Sequence, residues 1–280
     1  MFSAVTALAL FILIKLLVLD VMRINSHDME ATYSLGDAVL VKKAFNAYHT
    51  EDVVCFEFPV PDSSGIKTYL VQRIYGLPGD SVQLQDKQVF LNGFGLHPPQ
   101  SIKHNYFVKT HKVKLDSLFK LRYHITEGGE ISDEFDYSFS LTNVEAEALK
   151  KDSLIKSVEL KKEKVNNFDQ LCFPGSKCYA WNLDQYGKMY LPKKNDTLQL
   201  DTINLAIYSM LIKEYEKNNL DVKHDSIFIN GSLTSTYLVK KNYYFVLADN
   251  RDNANDSRVW GFLPEDKIKG KVIAVLKHAK

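Results

Sequence analysis

The chain has 280 residues, 45% of them hydrophobic and 25% charged, which is typical of a folded globular protein. This length is enough for one large domain or two small ones. Its 35 basic and 34 acidic side chains almost balance. The balance argues against a nucleic-acid partner, because proteins that bind nucleic acid usually carry a basic excess.

Residues 2–22 predict an N-terminal membrane anchor. The stretch from Phe2 to Ile14 is uncharged, and Lys15 and Asp20 then interrupt it. A membrane-spanning helix needs about 20 mostly apolar residues, so this is a minimal single span on which Lys15 reaches the membrane surface or a partner. A cleavable signal peptide and a buried core helix are the alternatives. The stretch has neither the basic start nor the small-x-small site of a cleaved signal peptide.

After Ser34 the pattern is mostly extended, so we predict a mainly β fold. Short apolar runs bounded by turn residues are typical of strands. The predicted strands lie at 38–41, 53–58, 69–75, 81–84, 89–91, 226–230, 243–247 and 268–276. Gly76 to Asp80 and Asn92-Gly93 are strong turn signals between them.

The middle of the chain differs from both ends and predicts an insert. Residues 142–164 combine helical spacing with many charges. Beyond the insert, residues 202–218 have the apolar spacing of an amphipathic helix. We therefore expect a β-rich domain formed by residues 23–96 and 181–280, with a partly helical inserted subdomain at 97–180.

Three cysteines are present. Cys172 and Cys178 enclose a turn-like stretch that could bring their sulfurs together, so a disulfide is expected in an oxidising compartment. Two reduced loop cysteines are the alternative. Cys55 lies in an apolar run and is interpreted as a small core residue.

Three segments carry distinctive motifs in a fixed order. They are INSHDMEATYSLGDAVLVKK (24–43), YLVQRIYGLPGD (69–80) and ADNRDNANDSRVWGFLPEDKIKGK (248–271). Together they resemble the three signature boxes of type I signal peptidase, and residues 181–194 are similar to a segment of the family's longer members. The resemblance covers most of the chain outside 97–180.

This resemblance implies a β-rich domain held at the outer side of the cell membrane by an N-terminal span. Family members cut signal peptides from exported proteins with a Ser nucleophile and a Lys base. A lysine can serve as that base only when burial keeps it neutral. The resemblance implies no cofactor, and the eight histidines show no metal-binding spacing such as HExxH.

Carried over position by position, the resemblance places Asp28 at the nucleophile and Gln72 at the base. Ser26 lies where the family has a serine that helps to bind the oxyanion. The five departures from the family pattern are Asp28, Ala31, Gln72, Ala248 and Ala254. The matching residues that are expected to bind or to brace the site are Met29, Thr32, Arg73, Asp249, Asn250, Arg251, Asp252, Asp256 and Arg258.

These departures predict a site that does not cleave peptide bonds. A glutamine amide is not a base, and a carboxylate at position 28 opposes the negative charge of a tetrahedral intermediate. Ser26-His27-Asp28 contains the residue types of a triad, but adjacent residues on an extended segment point to opposite faces. We expect Asp28 to accept a hydrogen bond from the Gln72 amide, and Asp249, Arg251, Asp256 and Arg258 to form an ionic network that braces the site.

The sequence therefore favours a non-catalytic, membrane-anchored relative of signal peptidase. Its expected partners are signal-peptide-like segments or a protein of the export pathway, besides the membrane lipid around its anchor. An active signal peptidase with an unusual dyad is the alternative. A purely structural partner whose groove is filled is the third possibility.

Overall fold

The computed structural model describes residues 18–43, 47–60, 67–132 and 135–278. The strands are β1 (Leu19–Arg23), β2 (Ala38–Lys42), β3 (Val53–Glu57), β4 (Tyr69–Gly76), β5 (Ser81–Gln85), β6 (Gln88–Leu91), β7 (Phe94–Gly95), β8 (Lys103–Thr110), β9 (Gly128–Ser132), β10 (Asp136–Thr142), β11 (Ile155–Leu160), β12 (Tyr186–Tyr190), β13 (Thr197–Gln199), β14 (Leu220–Lys223), β15 (Ser226–Ile229), β16 (Ser232–Leu233), β17 (Thr236–Leu238), β18 (Tyr243–Leu247), β19 (Leu263–Pro264) and β20 (Ile268–Lys277). The helices are α1 (Ser117–Arg122), α2 (Asn143–Leu149), α3 (Leu205–Met210) and α4 (Ser257–Trp260), with a π-helical turn at Leu211–Tyr215 and a 3₁₀ turn at Glu265–Lys267.

A seven-stranded sheet forms the centre of the fold, in the order β1-β2-β20-β3-β4-β18-β19. Its strands confirm the mainly β prediction, because every predicted apolar run forms a strand within one or two residues of the expected position. Strand β3 is buried on both faces. Val53 and Cys55 pack into one core cluster, while Val54 and Phe56 pack into another, as the period-2 alternation of a strand requires.

The structure differs from the expected anchor at 2–22 in its last residues, which form a strand. Residues 2–17 lie outside the described part of the chain, but Leu19 to Met22 belong to β1 and pair with β2. The end of that stretch is therefore a strand, because its backbone pairs with β2. Among the described residues, no helix has the length and apolarity needed to cross a membrane.

Residues 103–160 form a separate four-stranded sheet, in the order β11-β8-β10-β9, with a core of its own. Within this insert, the predicted helix over 142–164 is correct only at its start. Thr142 and Glu145 form a capping box that begins α2, but the chain turns after Leu149. Residues 155–160 become β11 because their alternate side chains pair with β8 and enter the core, which overrides local helix propensity.

The amphipathic helix predicted at 202–218 is confirmed as α3 and its π-helical continuation. The large core cluster of the β domain takes in Leu205, Tyr208, Ile212 and Tyr215. This apolar face packs on the same core as β12 and β18, so the helix covers the main domain.

The disulfide expected between Cys172 and Cys178 is not formed, and both thiols are free. Cys172 is buried in the large core cluster, whereas Cys178 is exposed. Because one side chain enters the core and the other faces solvent, closing the turn does not bring the sulfurs together. Burial raises the pKa of Cys172 to about 12, so this thiol stays protonated at neutral pH. Cys55 is a buried core residue as predicted.

Candidate active site

The nucleophile position lies in a compact turn between β1 and β2. Backbone bonds of 2.7 Å from the Thr32 and Tyr33 N–H groups to the Met29 carbonyl close this turn. Met29 is 1% exposed and anchors it in the core. The segment is therefore a turn and not the extended stretch assumed from the sequence, because the buried Met29 side chain and these short-range bonds fold it back.

Asp28 and Gln72 are in direct contact, as predicted. The Gln72 Nε2 group on β4 donates to Asp28 Oδ2 over 2.9 Å, and its second bond goes to the Asn255 carbonyl over 3.0 Å. Gln72 is fully buried. Its position follows from β3–β4 pairing, in which Gln72 lies opposite Val54. Ala254 precedes Asn255, so the third signature segment contacts this pair through backbone.

The pKa of Asp28 depends on its burial, its hydrogen bonds and the neighbouring charges. Burial raises the pKa of its carboxyl group, and the negative charge of Asp256 raises it further. Hydrogen bonds from the Gln72 and Ser26 side chains act in the opposite direction. Asp28 therefore accepts hydrogen bonds at the nucleophile position and offers no hydroxyl for a base to activate.

His27 does not link Ser26 to Asp28. Its Nδ1 atom lies 2.8 Å from Glu30 Oε2 and 3.9 Å from Glu127 Oε1. These three side chains place potential ligand atoms within 4.8 Å of one another. The His27 side chain is 56% exposed and its Nδ1 atom already lies within hydrogen-bond distance of Glu30, so the cluster gives no independent sign of a metal.

Asp249 braces the turn through contacts with Arg73, Thr32 and Met29. It accepts two bonds from Arg73, from Nε at 2.9 Å and from Nη2 at 2.5 Å, and a third from the Thr32 hydroxyl. Its own N–H lies 3.4 Å from the Met29 sulfur. Arg73 directly follows Gln72, so this bidentate pair fixes the backbone that carries the base position.

We call residues 248–258 the bracing loop, because most of its charged side chains hold the surrounding backbone. Asp256 binds Arg258 through Nε at 2.9 Å and Nη2 at 2.8 Å, and it also accepts the Ala248 N–H. Asp256 and Arg258 are 0% and 2% exposed. Arg258 also donates to the Arg251 carbonyl, so the loop is closed on itself.

Asp252 extends the bracing loop towards the insert. The Asp252 carboxylate lies 2.8 Å from Lys87 Nζ and accepts the Asn105 N–H at 2.8 Å. Lys87 Nζ also contacts Asp184 at 2.7 Å. Burial alone would raise the pKa of Asp252, but His104 and the Lys87 ammonium hold it well below its usual range. The expected ionic network is thus present, except that Arg251 takes no part in it.

The insert also contributes residues that the sequence did not point to. Asn250 donates from Nδ2 to both Glu127 oxygens, at 3.0 and 2.9 Å, and accepts from the Ser140 hydroxyl at 2.9 Å. Its N–H donates to the Asp28 carbonyl at 2.8 Å. Asn250 therefore connects the insert to the nucleophile position. No local pattern around Glu127 could have revealed this, because the contact spans more than 120 residues of sequence.

Comparison with known proteins assigns a family to this arrangement. The family of signal peptidases, peptidase S26, matches residues 1–154 and 184–277. Signal peptidase I of Buchnera aphidicola subsp. Schizaphis graminum is 26% identical over 94% of this chain and 69% of its own length. Signal peptidase I of Haemophilus influenzae is 26% identical over 96% of this chain and 66% of its own length. A crystal structure of a signal peptidase I from Enterococcus faecalis V583 matches at 14% identity with a TM-score of 0.29, covering 82% of this chain and 100% of that one.

Proposed function

The chain belongs to the signal peptidase family, peptidase S26, and from that premise we propose that it is a non-catalytic member that binds signal-peptide-like segments. The bound segment is an extended peptide of an exported protein or of a partner in the export pathway. The alternative, an active signal peptidase with an unusual dyad, requires a base and a nucleophile that the described contacts around Asp28 do not supply.

One observation carries this proposal, the hydrogen bond of 2.9 Å between Gln72 Nε2 and Asp28 Oδ2. An amide donor faces a carboxylate at the two positions where the reaction needs a base and a hydroxyl. The Gln72 amide cannot take up the proton of an attacking group at neutral pH, and the Asp28 carboxylate stands where the reaction needs a hydroxyl. Losing both partners of such a dyad removes several orders of magnitude of rate.

The edge of the central sheet supports peptide binding beside this pair. Strand β1 pairs with β2 and with no other described strand, and it leads directly into the turn that carries Asp28. An edge strand offers unpaired backbone groups to an extended peptide. Val21 on this strand is 50% exposed, so its side chain faces the solvent that such a peptide would replace.

We further propose that the apolar start of residues 2–22 anchors the chain to the cell membrane as a single span, which ends before β1 begins at Leu19. The domain boundaries belong to the same proposal, with the β domain at 23–96 and 181–280 and the insert at 97–180. The main domain then lies at the extracytoplasmic membrane surface, where signal peptides emerge. The family assignment and the apolar sequence of 2–14 support this placement.

The experiment is to titrate a fluorescent signal-peptide segment into the full chain in detergent and follow both anisotropy and cleavage. We expect saturable binding without cleavage. Val21→Lys should weaken binding at least about tenfold, because a charge on an edge strand opposes strand addition. Leu238→Lys is the matched control at another exposed position and should leave binding unchanged. Equal binding by both variants contradicts the proposed edge, and cleavage by the native chain contradicts the proposed function.

A further inference from the structure

Arg251 lies in the bracing loop but does not join its ion pairs. Its side chain is 2% exposed, and its Nε and Nη2 atoms have no hydrogen-bond partner in the described part of the chain. The guanidinium carbon lies 4.6 Å from the centre of the Tyr75 ring. That ring attracts the cation from one side but accepts none of its N–H groups in the way a carboxylate would. A buried charge left in this state is costly unless a ligand completes it.

The unpaired guanidinium lines a cavity of about 250 Å³ between the β domain and the insert. Apolar side chains from both regions form much of its wall: Val89, Leu96, Pro98, Ile102 and Leu160. The Tyr75 hydroxyl is also buried and unpartnered within the described ranges. Burial raises the pKa of this hydroxyl, so it stays protonated and can donate. Two different donors and an apolar wall thus share one space.

The other charges at the cavity do not neutralise Arg251. Lys87 is already paired with Asp184 and Asp252. Asp86 also lines the cavity, but it is exposed and accepts a bond of 2.8 Å from the Gln185 amide. His104 also lines the cavity and faces Asp252 at 3.7 Å from its Nδ1 atom, which has no hydrogen-bond partner among the described residues.

These features define the chemistry of a ligand. A guanidinium offers parallel N–H groups that match the two oxygens of a carboxylate. Among the described residues that line the cavity, Arg251 is the cation without a carboxylate partner. Together with the apolar wall it suits a monoanion with an apolar body better than a multiply charged phosphate. The volume lies just below the roughly 300–1,000 Å³ of common small-molecule sites, so the ligand is small.

We propose that this cavity is a binding site for a small carboxylate that carries an apolar group, held by Arg251 and the Tyr75 hydroxyl. The site is separate from the Asp28–Gln72 pair and does not depend on peptide binding there. It gives the insert a role, because Ile102, His104 and Leu160 close the cavity from that side.

The test is a ¹⁹F NMR titration of the full chain with 3-fluorobenzoate, with 3-fluorobenzamide as the uncharged probe and detergent alone as the blank. We expect saturable binding of the acid and at least about tenfold weaker binding of the amide. Arg251→Met should weaken binding of the acid at least about tenfold. Lys223→Met, which removes an exposed charge on β14, is the matched control and should bind like the native chain. N-acetyl-leucine, added as a competitor that displaces 3-fluorobenzoate, represents a carboxylate at a peptide end. Displacement at a lower concentration than that of unlabelled benzoate supports the site with a peptide terminus as its source.

A second variant keeps the test decisive if Arg251→Met folds poorly. Leu96→Trp leaves the guanidinium in place and fills the cavity, so it should also abolish binding of 3-fluorobenzoate. We further expect Arg251→Met to raise the melting temperature of the ligand-free chain, because it removes an unpaired buried charge, and to end the thermal stabilisation by 3-fluorobenzoate. Equal binding of acid and amide, or native-like binding by both cavity variants, overturns the proposal.

Discussion

The Asp28–Gln72 pair and the bracing loop surround the same site but depend on different interactions. The pair is joined by one hydrogen bond between an amide and a carboxylate. The bracing loop is held by buried ion pairs, Asp249 with Arg73 and Asp256 with Arg258. In the first region Asp28 could lose its charge and its position would still accept the bond from Gln72. In the second, removing one partner leaves a charge buried.

This difference explains how a signal-peptidase-like fold can keep its shape while its reaction centre differs. A nucleophile and a base serve the reaction and are not needed for folding. At their positions the neutral Gln72 amide faces the Asp28 carboxylate, so no unpaired cation is left there. The charges of the bracing loop fix the backbone around them, including the segment with Arg73 next to the base position. Agreement with the family pattern in the loop therefore supports the fold and says little about catalysis.

The largest expected effect comes from breaking the pair inside the bracing loop. Asp256→Ala leaves Arg258 buried at 2% exposure without its carboxylate, which should destabilise the chain by about 3–5 kcal/mol. Urea denaturation of the full chain measures this loss. The exposed Asp221→Ala is the matched control and should shift the transition by no more than about 0.5 kcal/mol. A similarly small loss for Asp256→Ala would remove the contrast between the two regions.

A smaller loss is expected where the bracing loop meets the β5–β6 hairpin. Lys87→Met takes the ammonium from Asp252 and Asp184 and should cost about 2 kcal/mol at pH 7. The pKa of Asp252 is lowered in the folded chain, so its stabilisation is present above its unfolded value near 3.9 and is lost at lower pH. The difference between native and variant should therefore narrow as the pH falls below about 4. Urea midpoints at pH 7 and pH 3 measure it, and a constant difference contradicts this assignment.

The smallest effect, and one of opposite sign, is expected at the Asp28–Gln72 pair. The pKa of Asp28 is raised in the folded chain, so the ionised carboxylate costs stability once the pH exceeds its unfolded value. Asp28→Asn keeps an acceptor for Gln72 and should make the chain more stable at pH 7. The gain should disappear below about pH 3.9, where Asp28 is protonated in both states. Denaturation midpoints across this range test it, and a loss of stability at pH 7 would contradict it.

The sequence predicted those features that depend on local pattern. The apolar runs of β3 and β4 and the turn that begins at Gly76 were sufficient to predict these central strands. The facing positions of Asp28 and Gln72 followed from the family resemblance. The sequence could not predict β11, because its pairing with β8 is a tertiary contact that overrides the local helical spacing.

Charges were the least predictable part of the site. Both Arg251 and Arg258 lie in one motif, and the sequence suggested the same ionic role for each. Only the folded chain shows that Arg258 finds Asp256 whereas Arg251 faces the Tyr75 ring. Likewise, the bond from Asn250 to Glu127 depends on how the insert docks, and no spacing within either segment encodes it.

The most direct test of the central claim is to rebuild the dyad and assay cleavage of a signal-peptide substrate. The account predicts no cleavage by the native chain and none by Asp28→Ser or Gln72→Lys alone, since each lacks one partner. The double variant Asp28→Ser/Gln72→Lys should cleave, because the bracing loop still positions both sites. Cleavage by the native chain that is lost in Asp28→Ala would contradict the account and make Asp28 itself part of a working catalytic group.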